Sequence, residues 1–177
     1  HDLRQALVKR ELFLDYQHAF SETTGLPLAL RPVEDWQLAH AGDRQQNAFC
    51  ALVARQNHAC AACLQMQQQV CNTANGVPAT LRCSFGLNET AVTVKLGERT
   101  IGYLQTGQVF FKTPTSAQAA SAVNRLQGMG GGVNAREAAA AYQATRVVSR
   151  PTYDSMIRLL EFFAKQLSLL ANQTLMQ

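Results

Sequence analysis

Cysteines are the side chains of this sequence that are best suited to chemistry. Cys60 and Cys63 form a C-x-x-C pair, a spacing that serves thiol redox chemistry, metal binding or simple packing. The cysteines are odd in number and irregular in spacing, which predicts reduced thiols rather than a disulfide framework. Because free cysteine is among the most buried residue types, we expect most of these thiols to line a core or a pocket.

A metal or iron–sulfur site is the alternative use of the same cysteines. If residues 58–74 form one helix, Cys60 and Cys71 lie about 16 Å apart along its axis, which is too far for them to share one zinc ion. The alternative site therefore consists of Cys50, Cys60, Cys63 and Cys83. It requires other elements to bring two of these thiols to the start of that helix, where His58 is a further candidate ligand.

No motif of an enzyme stands out. No serine occupies a G-x-S-x-G elbow, and there is no H-E-x-x-H pair. The acidic residues are spread out and are interpreted as exposed charges, Glu89 among them. The glycine cluster at 128–132 follows a predicted helix and lacks the lysine and hydroxyl of a phosphate-binding loop, so it is interpreted as a flexible connection. We therefore predict a protein that is not an enzyme.

Composition predicts one domain with a single sizeable core. Of the 177 residues, 47% are hydrophobic and 16% are charged, which is not the composition of a disordered chain. The net charge of +4 comes from scattered bases, so no basic stripe predicts direct contact with nucleic acid. The apolar runs fall far short of the roughly 20 residues that a membrane-spanning helix needs.

Hydrophobic periodicity predicts an α+β fold, with an antiparallel sheet flanked by helices. Helices are expected at 3–24, 45–55, 58–74, 115–127, 134–145 and 151–176. Residues 26–33 look extended. Three strands are expected at 79–85, 90–96 and 100–111, with a hairpin turn at 97–99.

The last predicted helix, 151–176, is unusually long. Pro151 suits its first turn, and Met156, Leu160 and Phe163 follow at spacings of four and three. At 1.5 Å per residue the helix extends about 39 Å, which is more than a domain of this size needs. Such a helix either pairs with a partner helix, which predicts a homodimer, or continues into a part of the protein beyond this sequence.

Polar side chains suited to a binding pocket lie on the predicted middle strands. Tyr103, Gln105 and Gly107 share one strand face, and Gln108 begins the other. Because a carboxamide both donates and accepts, either glutamine is suited to bind a hydroxyl or amide group. Gly102 and Gly107 predict bulges or places where something packs close to the backbone.

The full set of candidate pocket residues draws on several elements. It consists of Trp36, Phe49, Cys50, Cys63, Cys83, Phe85, Tyr103, Gln105 and Gln108. Cys83 and Phe85 are expected to share one face of the first middle strand. A pocket needs a concave, mostly apolar lining with a few fixed polar groups. The aromatic members equally suit ordinary core positions, and Trp36 suits a lid over the core.

An ordered series of short motifs runs through the middle of the chain. A helix carries Phe49-Cys50, a second helix carries Cys63, and a strand carries Arg82-Cys83. The series continues with Gly86-Leu87, the strand 91–94, the turn 97–99, Ile101-Gly102 and Gly107-Gln108. In this order the motifs resemble PocR-type sensory domains of bacterial signalling proteins and AraC-type regulators.

The resemblance implies a PAS-like fold and a cytoplasmic sensor of small molecules. Family members are thought to bind small hydrocarbon derivatives, such as short diols, and to signal to an output domain, for example an AraC-type DNA-binding domain. No cofactor is implied, unless the cysteines hold zinc or an iron–sulfur cluster. After the strand cysteine, where the family often has a histidine, this chain has Ser84, which removes an imidazole from the expected pocket.

The same resemblance implies how the chain is organised. A single sensory domain covers 1–177, with an N-terminal helix at 3–24, a sensor core at 26–145 and a signalling helix at 151–176. We expect this domain to be a piece of a larger regulator, and the signal to leave it through the last helix.

Overall fold

The computed structural model describes the backbone of residues 2–176 and the side chains of residues 9–56 and 58–173. In chain order its elements are α1 (Asp2–Thr24), β1 (Leu28–Pro32), α2 (Ala48–Ala54), α3 (Asn57–Thr73), β2 (Ala79–Arg82), β3 (Asn88–Leu96), β4 (Arg99–Val109), α4 (Ser116–Gly128), α5 (Ala135–Gln143) and α6 (Arg150–Met176). The ends of the predicted domain, His1 and Gln177, lie outside the described residues. The predicted α+β fold, with its long C-terminal helix, is confirmed. None of the described helices combines the length and the apolar character needed to cross a lipid bilayer.

The sheet has four antiparallel strands in the order β1-β4-β3-β2. β3 and β4 form a central hairpin in which Ala91 lies opposite Gln105. The predicted extended segment 26–33 supplies the fourth strand, since β1 pairs along β4 with Leu28 opposite Thr106. The sequence indicated an extended chain there, but not the strand with which it pairs.

The two glycines of β4 lie where the sheet is irregular. The register of β3 against β4 shifts beside each of them. A Cβ atom at Gly102 would lie 2.8 Å from the carbonyl oxygen of Arg31, and one at Gly107 would overlap the carbonyl of Asn88. Both the predicted bulges and the predicted close packing are therefore confirmed.

One face of the sheet packs against α6, with α1 beside it. Tyr153 of α6 is fully buried, and its hydroxyl oxygen lies 2.6 Å from that of Thr90 on β3. Tyr16 of α1 stacks on Phe163 of α6, with ring centroids 3.8 Å apart. The buried core on this side includes Phe20, Leu28, Val92, Leu104, Ile157, Leu160, Phe163 and Leu167. The apolar stripe predicted for the last helix thus anchors it to the sheet.

The opposite face packs against α3. Towards the end of this helix, Val70, Cys71 and Ala74 meet Ala79 and Ala91 in a cluster of mostly small side chains. The middle of α3 instead borders a cavity.

A separate aromatic cluster lies where α2, α4 and α5 pack together, beside the end of β4. Phe49 lies edge-on to Phe85 and to Tyr142, with centroid distances of 5.2 and 4.9 Å. The Tyr142 hydroxyl donates to the Phe85 carbonyl at 2.6 Å. These contacts fix the position of α2 relative to the turn that follows β2.

β2 ends earlier than predicted, at Arg82 rather than at Phe85. Gly86 has a φ of 92°, and its N–H donates to the carbonyl of Cys83 at 2.9 Å, so the chain turns here. Cys83 and Phe85 therefore lie in a turn and not on a common strand face. The turn places both side chains beside α2 and α3.

Candidate functional site

A cavity of about 280 Å³ lies between the sheet and the middle of α3. Residues of α2, of the turn after β2 and of the connection 33–47 complete its walls. Its volume suits a small molecule, since it lies near the lower end of the range of about 300–1,000 Å³ that is usual for ligand pockets. We call it the α3 cavity.

Four sulfur atoms form one side of the α3 cavity, which we call the sulfur wall. Cys50 comes from α2, Cys63 and Met66 come from α3, and Cys83 comes from the turn after β2. Burial raises the pKa of each thiol, that of Cys63 to about 12, and neighbouring thiols raise the pKa values of Cys50 and Cys63 further. The thiols are therefore protonated at neutral pH, and they offer a weakly polar, polarisable surface rather than a nucleophile.

A row of polar side chains, the polar row, follows the sheet side of the cavity. His40 Nε2 lies 3.2 Å from Glu89 Oε1, and Gln105 Nε2 donates to Glu89 Oε2 at 3.3 Å. Arg31 stands behind Gln105 and donates from Nη1 to Gln105 Oε1 at 3.2 Å. Arg31, His40 and Gln105 are no more than 4% exposed. Because burying an unpaired charge is costly, the row holds its charges in a continuous set of contacts.

His40 keeps unused hydrogen-bonding capacity. Its Nδ1 atom is buried and has no partner among the described residues. When the proton of the ring is on Nε2 and shared with Glu89, Nδ1 is an acceptor. His40 and Glu89 both line the cavity, and the Glu89 side chain is 14% exposed, so a ligand hydroxyl that enters the cavity meets a carboxylate that the buried imidazole holds in place.

The bulge at Gly107 determines where Gln108 points. Gln108 has a φ of 62°, which is uncommon for a residue other than glycine. Its Oε1 accepts from the backbone N–H of Asn47 at 2.7 Å, and the Asn47 side chain accepts from the N–H of Cys50 at 2.9 Å, which caps α2. The sequence placed Gln105 and Gln108 on opposite strand faces. The bulge corrects this, because both side chains line the cavity.

Gln67 holds the connection 33–47 against α3. This side chain is 5% exposed, its Nε2 donates to the carbonyl of Gln37, and its Oε1 accepts from the N–H of Ala39, both at 2.8 Å. The two bonds fix the connection on either side of residue 38. They therefore set the position of His40, which follows directly.

The structure brings together most of the pocket residues predicted from the sequence. Those that line the α3 cavity are Cys50, Cys63, Cys83, Phe85, Gln105 and Gln108. Phe49 is fully buried in the aromatic cluster, and Tyr103 packs beside Cys71 instead of lining the cavity. Trp36 is 73% exposed and lies outside the lining.

Sequence reasoning missed the central residues of the polar row. Glu89, interpreted from the sequence as an exposed charge, is instead paired with the buried His40. The two are 49 residues apart in the chain, so no local spacing indicates their contact. The one available signal is the alternation that puts Glu89 on the same strand face as the buried Ala91. Ser84 borders the cavity at the position where the resemblance implied a histidine, and His40 supplies an imidazole to the lining.

The alternative metal site does not assemble in the part of the chain that the structure describes. No three His, Cys, Asp or Glu side chains there are grouped so that they hold an ion. Cys60 lies outside the lining of the α3 cavity. Cys71, near the other end of α3, accepts from Arg31 Nη1 at 3.2 Å. The arrangement gives the metal interpretation no support.

One protein-family model matches nearly the whole chain. The family model described as the sensory domain found in PocR matches residues 6–172. Comparison with curated proteins and with solved structures gave no match. The matched range includes the sulfur wall, the polar row and most of α6.

Proposed function

Because this chain belongs to the PocR sensory-domain family, we propose that its α3 cavity binds a small, largely apolar molecule that carries at least one hydrogen-bonding group. The main support for the proposal is that the α3 cavity has one weakly polar wall and one strongly polar wall. The sulfur wall suits contact with hydrocarbon, and the polar row offers the Glu89 carboxylate beside the Gln105 amide. Such a lining is typical of small-molecule sites. A small hydrocarbon derivative such as a short diol fits this description.

The same geometry favours binding over catalysis. A nucleophilic cysteine requires a lowered pKa, whereas burial raises the pKa values of Cys50, Cys63 and Cys83. The carboxylate of Glu89 is already engaged by His40 and Gln105. We therefore propose a sensor that recognises its ligand and does not transform it.

Two series of contacts connect the cavity to α6 and support the proposal that ligand binding changes the position of this helix. The first runs through β3, where Glu89 faces the ligand and the next residue, Thr90, faces α6. The Thr90 hydroxyl lies 2.6 Å from that of Tyr153 in the first turns of α6, and both residues are fully buried. A shift of β3 on ligand binding therefore acts directly on this helix.

The second route starts at Gln108. Asn47, which contacts the Gln108 side chain, also donates from Nδ2 to the Thr145 hydroxyl at 2.9 Å. Just beyond, the backbone of Phe110 exchanges hydrogen bonds of 3.0 and 2.9 Å with segment 146–148. That segment leads into α6, so a change at the bulge reaches the start of the same helix.

The outer side of α6 supports a second part of the proposal. Leu159, Phe162 and Leu169 are 52%, 56% and 55% exposed, at spacings of three and seven residues. A recurring apolar stripe of this kind is typical of helices that pair in coiled coils. We propose a homodimer through this stripe. An output domain outside this sequence, for example an AraC-type DNA-binding domain, would read the helix pair in the cytoplasm, with no contact between this domain and nucleic acid.

The test is calorimetric titration of the purified protein with short diols, alcohols, ketones and carboxylic acids. Cys63→Phe puts a ring into the cavity, and Cys60→Phe makes the same change on α3 outside the lining. We expect Cys63→Phe to abolish the saturable binding of a hit and Cys60→Phe to retain it. If Cys63→Phe folds and binds as tightly as the unmodified protein, the cavity is not the site.

A second variant tests the polar row without changing the volume of the cavity. Glu89→Gln removes the carboxylate that faces the ligand, and Glu98→Gln makes the same change in an exposed turn. We expect Glu89→Gln to weaken binding by about tenfold or more, as the loss of a hydrogen bond to a charged group does. Equal affinity of the two variants would contradict the assigned role of Glu89.

A further inference from the structure

A second cavity, of about 640 Å³, lies at the start of α3 and shares no lining residue with the α3 cavity. The end of α2, the first turn of α3 and the glycine cluster at 128–132 form its walls. Its polar lining consists of Arg55, Gln56, His58, Asn134 and Glu137. We call it the glycine-loop cavity.

Gln56 is a buried polar side chain that faces this cavity. The residue is 8% exposed, it immediately precedes α3, and its side chain does not cap the helix. Its amide has no hydrogen-bond partner among the described residues, and it lines the cavity. Because the rest of the residue is buried, the cavity is the place where this amide meets a hydrogen-bond partner.

The glycine cluster makes room for this amide. Gly131 has a φ of 94°, and a Cβ atom there would overlap the carboxamide of Gln56. Gly130 has a similar φ of 88°, but a Cβ atom there would meet nothing within 4 Å. Close packing against Gln56 therefore requires glycine at 131, whereas only the backbone conformation favours it at 130. The connection is more than a flexible linker.

The charges around the cavity favour an anion. Arg55 forms no ion pair with any other described residue. The first turn of α3 carries no acidic residue, so its free N–H groups leave a partial positive charge. Glu137 is the one carboxylate that the described lining contains, and the start of α5 offsets its charge, because it lies in the first turn of that helix.

We propose that the glycine-loop cavity binds a small anion that carries a phosphate group. The Arg55 guanidinium, the Gln56 amide and the first N–H groups of α3 are donors suited to phosphate oxygens. This proposal is independent of the α3 cavity, because the two sites share no residue. It gives the sensor a second input of different chemistry.

The experiment is an NMR titration of the amide signals of the whole chain at constant ionic strength, with chloride as the reference anion. The probes are inorganic phosphate and glycerol phosphate. We expect saturable shifts at residues 130–132 and at the start of α3, with none at Cys63. Tighter binding of the ester points to a phosphorylated metabolite, and equal binding points to phosphate itself. Absence of a saturable shift, or shifts confined to the α3 cavity, would overturn the proposal.

Variants locate the site. Arg55→Ala should weaken phosphate binding by about tenfold, as the loss of one charge-assisted hydrogen bond does, whereas Arg44→Ala removes an exposed arginine elsewhere and should leave binding unchanged. Gly131→Ala should weaken binding more than Gly130→Ala, because both strain the backbone but only the first displaces Gln56. Equal effects of Arg55→Ala and Arg44→Ala would show nonspecific attraction and refute the site. Diol binding in the α3 cavity should be unchanged by all four substitutions, so the two proposals fail separately.

Discussion

The two faces of the sheet bury different kinds of side chain. Under α6 the interior consists mainly of apolar side chains, with the Thr90–Tyr153 contact as a buried polar link. Under α3 the same strands bury a glutamate–histidine pair, an arginine and a glutamine around a cavity. Adjacent residues of β4 face opposite sides of the sheet: Leu104 faces α6, and Gln105 faces the cavity. Because side chains alternate along a strand, neighbouring residues serve the stability of the core and the recognition of a ligand.

Packing under α6 should contribute more to stability than any other contact of the sheet. Leu160 is fully buried there, so Leu160→Ala should lower the free energy of unfolding by about 2–5 kcal/mol. Leu14 of α1 is 46% exposed and lies outside the proposed dimer stripe, and Leu14→Ala should change stability by less than about 1 kcal/mol. Urea unfolding followed by circular dichroism measures both. Similar losses in the two variants would show that this face does not hold the fold together.

A smaller effect should come from the contact that joins the two faces. Tyr153→Phe removes a buried hydroxyl but leaves Thr90 with Thr80, whose hydroxyl lies 2.8 Å away. We expect a loss of about 1 kcal/mol, the net contribution of one hydrogen bond. Hydrogen exchange at the start of α6 should become faster in the same variant. Unchanged exchange and unchanged stability would argue against the first transmission route.

The smallest expected effect is a dependence on pH that belongs to the cavity face. Burial raises the pKa of Cys63 to about 12 from its ordinary value of 9.0. The unfolded chain therefore loses this proton first, so the stabilisation is complete below pH 9.0 and is lost as the pH rises from there towards about 12. Urea midpoints at pH 7, 9 and 10 should fall less in Cys63→Ala than in the unmodified protein. Cys60→Ala serves as the control and should retain the unmodified decline.

The comparison also explains how far the sequence alone could predict the fold and the site. Periodicity identifies the buried side of a helix or strand, which is why the helices, the central hairpin and the stripe of α6 are confirmed. It does not identify the element that packs against or pairs with that side. The pairing of β1 with β4 and the contact of His40 with Glu89 depend on residues far apart in the chain, and they were not predicted.

Residue type predicted some local features of the chain but not their positions in the folded protein. Gly107 indicated a bulge, yet only the pairing of β3 with β4 shows that the bulge brings Gln108 to the same cavity as Gln105. Trp36 is large and apolar, which suggested a pocket or a lid, but it is exposed on the connection between β1 and α2. Burial of a single aromatic in an aperiodic segment depends on tertiary packing that no pattern records.

The left-handed backbone of Gln108 sets strain against contact at one position. Glycine adopts this conformation without penalty, whereas a residue with a side chain is strained by about 1 kcal/mol. The hydrogen bond from the Asn47 N–H to Gln108 Oε1 contributes about the same amount in the opposite direction. The two contributions therefore nearly cancel, and the amide couples the bulge to α2 at little net cost in folding free energy.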